Sequence, residues 1–124
     1  MITPGQAAQL LETALRTVDG LRVYPDRGAA VDPPAALVGL PQLGWRGYCG
    51  SAPTHARFRI DLVVAADERA HERLWRLIPL VAEAVEAVDS ATLAPFEFPA
   101  SPVMFTTAQQ TQLPGYEITV DFAL

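Results

Sequence analysis

Two histidines, a lone cysteine and a serine in a glycine-rich stretch are the residues whose types could do chemistry here. His55 and His71 lie 16 positions apart, and a metal site needs three or four converging ligands. Glu68 and Glu72 bracket His71 at helical spacing, so a sparse His/Glu cluster is conceivable. The plainer reading is a solvated helix face with Arg69, Glu72, Arg73 and Arg76, where Glu72 and Arg76 form a favourable i,i+4 pair. Ser51 stands four residues before His55, but no Gly-x-Ser-x-Gly turn surrounds it. Cys49 has no second cysteine for a disulfide or a zinc site, and reads as a buried thiol. Gly28 and Gly39 make no phosphate loop, and the chain contains no lysine to complete one. Asp61 and Asp121 could meet across a sheet, but Arg57, Arg59 and Thr119 beside them point to a charged outer face. The expectation is a chain that is not an enzyme and uses no metal and no cofactor.

The elements that must position these residues follow from hydrophobic spacing. Thr3-Pro4 reads as a helix start, with Ala7, Leu10, Leu11, Ala14, Leu15 and Val18 at helical spacing and a stop near Asp19-Gly20. Leu21–Tyr24 and Ala35–Leu40 are short strand candidates separated by an Asp-, Gly- and Pro-rich loop. Pro41–Thr54 reads as either a loop or an irregular hairpin. Ala56–Ala66 is a strand: Phe58, Ile60, Leu62 and Val64 share one face, with Arg57, Arg59 and Asp61 on the other. The apolar Val63 and Ala65 then predict that one end of this strand is covered on both sides.

Asp67–Asp89 reads as the main helix, capped by Asp67, with Leu74, Leu77, Ile78, Val81, Val85 and Val88 as its apolar stripe. Pro79 inside it removes the bond to the carbonyl of Trp75 and predicts a kink or break. Thr92–Pro102 reads as a linker or irregular crossing. Val103–Thr107, or as far as Gln112, is a strand candidate, and Pro114-Gly115 is a turn signal. Tyr116–Leu124 alternates strictly, which closes the chain with a hairpin. One domain over residues 1–124 is expected. Its class is α+β: a two-layer sandwich, with a mostly antiparallel sheet of four or five strands packed by two main helices.

Half of the 124 residues are hydrophobic and 19% are charged, which excludes general disorder. No apolar run is long enough to span a membrane, and the opening Met1-Ile2-Thr3-Pro4-Gly5 does not read as a signal peptide. A cytosolic origin is expected. All nine basic residues are arginine and the net charge is −5, unfavourable for general nucleic-acid binding.

With no catalytic constellation, surfaces become the candidates. Trp45 and Tyr48 sit in a glycine-rich loop, where aromatics serve as interface anchors or tuck under their own loop. Arg57, Arg59, Asp61, Glu117 and Asp121 mix both signs on the polar sheet face, which either meets solvent or fixes register with a neighbouring subunit.

The order of segments resembles the tail terminator proteins of long, flexible-tailed phages, particularly of actinobacterial hosts. The likeness lies in the opening helix Ala7–Val18, Gly-Leu-Arg-Val-Tyr at 20–24, and Val-Asp-Pro-Pro-Ala at 31–35. It continues through Gly-Leu-Pro at 39–41, Arg-Phe-Arg-Ile-Asp-Leu-Val-Val at 57–64 with its following helix, and Tyr-Glu-Ile-Thr-Val-Asp-Phe at 116–122. The resemblance implies a virion protein at the head-proximal end of the tail. It implies a homo-oligomeric ring, a hexamer in that family, which caps the tail tube and stops its polymerisation. Its partners would be other copies of itself, the tail tube protein and head–tail connector proteins. DNA would pass through the ring without specific binding, and no membrane is involved. Other readings are another neck or tail-completion protein, or, outside phage, a small protein- or ligand-binding α+β domain.

Overall fold

A computed structural model describes residues 2–25, 30–46, 50 and 52–124. The described residues form two helices and a mixed seven-stranded sheet, in the order α1 (Pro4–Leu15), β1 (Arg22–Tyr24), β2 (Ala35–Val38), β3 (Gln42–Gly44), β4 (His55–Val63), α2 (Ala70–Glu86), β5 (Ala91–Leu93), β6 (Ala100–Thr106) and β7 (Gln112–Ala123). The α+β class is as the sequence predicts, with a larger sheet.

The extra strands come from the way short segments share long ones. β4 and β7 pair antiparallel at the centre, from His55 opposite Ala123 to Val63 opposite Gly115. β2 and β3 line up end to end along the outer edge of β4, and β5 and β6 do the same along β7. β1 adds to β2 in parallel. Between β2 and β3 the pairing slips by one residue, and Leu40, in the extra length, stands fully in solvent.

Both helices lie on one face. Ala56, Phe58, Ile60, Leu62 and Val64 of the β4 segment join Ile118, Val120 and Phe122 of β7 beneath Leu11 and Leu15 of α1 and Leu74, Val81 and Val85 of α2. Thr3 and Gln6 close a capping box at the start of α1. That helix ends at Leu15, a turn before the predicted stop, while Gly20 does take the left-handed conformation (φ +77°).

α2 begins at Ala70 rather than at Asp67. The Asp67 carboxylate accepts the backbone N–H of Arg69 and pairs with Arg73, and these contacts hold its pKa below the usual carboxylate range. The helix passes through Pro79 without a break. Pro79 and Trp75 are both exposed, so the carbonyl that Pro79 cannot reach opens to water.

Pro114-Gly115 is not a turn; it lies inside β7. The hairpin closes instead at Thr107–Thr111, where the Thr107 N–H donates to the Thr111 carbonyl and Gln110 adopts φ +62°. Gly115 serves a close approach of strands: a Cβ there would collide with the carbonyl oxygen of Leu62. Pro102 fits β6 for a related reason. The Pro99 carbonyl accepts the Thr119 N–H of β7 and the Thr107 N–H donates to the Thr111 carbonyl just before β7, so by alternation the backbone groups of Ala100, Pro102, Met104 and Thr106 point away from β7. The missing N–H of Pro102 costs no ladder bond and thins the open edge.

Candidate interface surfaces

Period-2 alternation sends Arg57, Arg59, Asp61, Glu117 and Asp121 to the sheet face that carries no helix. Arg57 stands directly opposite Asp121, and its guanidinium meets that carboxylate with two bonds, Nε to Oδ1 at 2.6 Å and the second nitrogen to Oδ2 at 3.0 Å. This pairing holds the Arg57 pKa above its ordinary value despite partial desolvation. The ring of Phe96 lies 4.7 Å from the same guanidinium. Arg59 reaches diagonally to Glu117, Nε to Oε1 at 3.5 Å. These charges satisfy one another within the subunit, so a neighbour would meet a neutral ladder rather than one sign of charge.

Asp61 departs from the outward-facing surface expected of it. It is 2% exposed, because the strand face changes character along its length. Beyond Arg59 the face carries a second apolar cluster of Ala35, Leu37, Val63, Phe105 and Leu113, with Tyr24 and Val31 packed against it. Asp61 sits opposite Leu37 on β2 and Glu117 on β7. Trp45, just past β3, is exposed. Tyr48, Cys49, Ser51 and Gly28 lie outside the described residues.

The two histidines belong to different places. The His55 Nδ1 lies 3.2 Å from the Thr54 hydroxyl, and its ring covers Gly44 so closely that a Cβ there would overlap it. His71 is on α2, on the helix side of the sheet, its ring centroid 5.8 Å from that of Trp75. Among the described residues no three His, Cys, Asp or Glu side chains gather as a metal site would require. Asp61 and Asp121 are four positions apart on the same ladder, roughly 13 Å, too far to share a proton. No described helix is long and apolar enough to cross a membrane.

Two features escape sequence reasoning. The first is a knob. Ala94 donates its N–H to the Thr119 carbonyl, and the Thr119 N–H donates to the Pro99 carbonyl. Both ends of the segment are pinned to one residue of β7, and Pro95, Phe96, Glu97 and Phe98 are extruded from the sheet edge. Phe96 folds back on Arg57, whereas Phe98 is 73% exposed. The bracketing prolines with two phenylalanines between them were the available signal. The second is an open apolar groove of about 420 Å³ between α2 and the β6–β7 hairpin, lined mainly by Leu74, Trp75, Pro102, Met104 and Tyr116, with His71 at its side. Trp75 and Met104 are each 60% exposed.

Compared with known proteins, the chain matches no protein-family model, and no curated protein is significantly similar to it.

Proposed function

We propose that this chain is a structural subunit of a phage virion, a tail terminator that forms a ring, six-membered in the family it resembles. The ring caps the tail tube, halts its polymerisation and offers the surface on which the head is joined. The observation that carries this reading is the amount of apolar surface left in solvent at defined places: Phe98 on its knob, Trp75 and Met104 in their groove, and Trp45 beyond β3. Large apolar side chains exposed at defined places are candidates for association surfaces. The resemblance of the segment order to that of tail terminators supports the specific reading, and the net charge of −5 suits a channel wall that does not retain DNA.

Negative-stain microscopy of the purified chain, alone and mixed with tail tubes, tests this. Rings, or rings capping tube ends, are expected. A particle that stays monomeric beside tubes and leaves tube growth unchanged would overturn the proposal.

A further inference from the structure

We infer that the Pro95–Phe98 knob of one subunit docks into the α2/β6–β7 groove of a second copy of this chain. The inference rests on the ring reading for its closure and names the contact that would build the ring.

The knob and the groove complement each other in shape and chemistry. The knob presents Phe98 largely to solvent, held out on a segment pinned at both ends to Thr119. The groove offers an aromatic ring, a thioether and prolines, and about 420 Å³ of space open to solvent. Seating Phe98 there would bury a phenyl group, roughly 1.5–3 kcal/mol for a full transfer from water, and would cover the exposed faces of Trp75 and Met104 at the same time.

Charge agrees with this placement. Glu97 precedes Phe98 in the knob. The groove runs on toward the start of α2, past His71, Ala70 and Asp67. The leading N–H groups of α2 carry the positive end of the helix dipole. Of the carboxylates at that end, Asp67 is engaged by the Arg69 N–H and by Arg73, and Glu72 lies in the first turn, on a stretch that also carries Arg69, Arg73 and Arg76. A carboxylate delivered beside Phe98 thus arrives at a positive helix end.

Knob and groove are different patches of one surface. Their contact either repeats head to tail, which closes a ring when the rotation per subunit allows, or is made twice across a two-fold axis; the ring reading takes the first.

The test uses two variants at exposed positions, Phe98→Asp in the knob and Trp75→Glu in the groove. Circular dichroism and thermal melting should match the wild type, since neither side chain supports the core. Light scattering coupled to size exclusion should show the wild type as species larger than a dimer, and each variant alone as a monomer. An equimolar mixture of the two should give a dimer and nothing larger. In that mixture one intact knob meets one intact groove, and every other pairing is spoiled. Folded variants that still assemble like the wild type would overturn the docking while leaving the ring reading intact. A wild type that stops at a dimer, abolished by both variants, would keep the docking and overturn the ring. A mixture that stays monomeric, or a wild type that is monomeric at high micromolar concentration, would overturn the docking outright.

Discussion

On one side of β4, Phe58, Ile60 and Leu62 are sealed beneath two helices. On the other, a single residue out of step, Arg57 and Arg59 stand against carboxylates of β7 with no helix above them. The strands and the hydrogen-bond ladder are the same; only the parity of the side chains differs. The helix-covered face is apolar throughout and is served by residues from nearly every element. The other face is divided: charged and self-paired at the β4 start, apolar under Tyr24 and Val31 at its end. Stability thus comes mainly from one side, while the charged half of the other holds a neutral, soluble surface.

Substitutions can break this comparison. Phe58→Ala removes a fully buried ring that meets Phe122 edge-on, and should cost about 3–5 kcal/mol in urea unfolding. Leu37→Ala, in the smaller cluster on the opposite face, should cost about 2–3 kcal/mol, toward the lower end for such a deletion. A loss equal to that of Phe58→Ala would show that the second cluster is as much a core as the first. Gly115→Ala forces a methyl against the Leu62 carbonyl where the central strands approach. Overpacking of this kind costs about 1–3 kcal/mol, and the thermal midpoint should fall accordingly.

Gln110→Gly has the opposite sign. It relieves the positive φ at the hairpin tip and should stabilise by up to about 1 kcal/mol, partly offset by the added freedom of the unfolded chain. Asp121→Asn should produce the smallest change in midpoint, because its ion pair with Arg57 is partly exposed. The wild-type advantage over it should shrink as salt is raised. An effect that is large and indifferent to salt would mean that the charged half of the face is structural after all.

The sequence makes the two central strands legible because their alternation is a property of consecutive residues. β4 and β7 carry that pattern, as α1 and α2 carry helical stripes. What stayed hidden depends on pairing between distant segments. Pro114-Gly115 has the composition of a turn, yet its place is set by Val103 and Met104 on one side and Leu62 and Val63 on the other. The turn fell at Thr107–Thr111, where no Gly or Pro announces it. Asp61 reads as a surface acid from its neighbours Arg57 and Arg59, and only the cluster around Leu37 and Phe105 explains its burial. Of the proposed interface residues, the strand positions were placed on the correct face by parity alone. The knob and groove are not legible in the sequence, because each is assembled by residues whose relation is fixed only once β5 and β6 share β7.

The double anchoring at Thr119 separates the length of the extruded segment from the registers that flank it. Ladder bonds on either side are unaffected by how many residues stand between Ala94 and Pro99. That makes the site an interchangeable docking head: lengthened, shortened or replaced, it would change what the subunit grips while the sheet beneath it keeps its pairing. An affinity tag or a foreign recognition loop inserted between Glu97 and Phe98 should therefore leave the flanking ladder and the Phe96–Arg57 contact in place, at only the modest entropic cost of a longer loop.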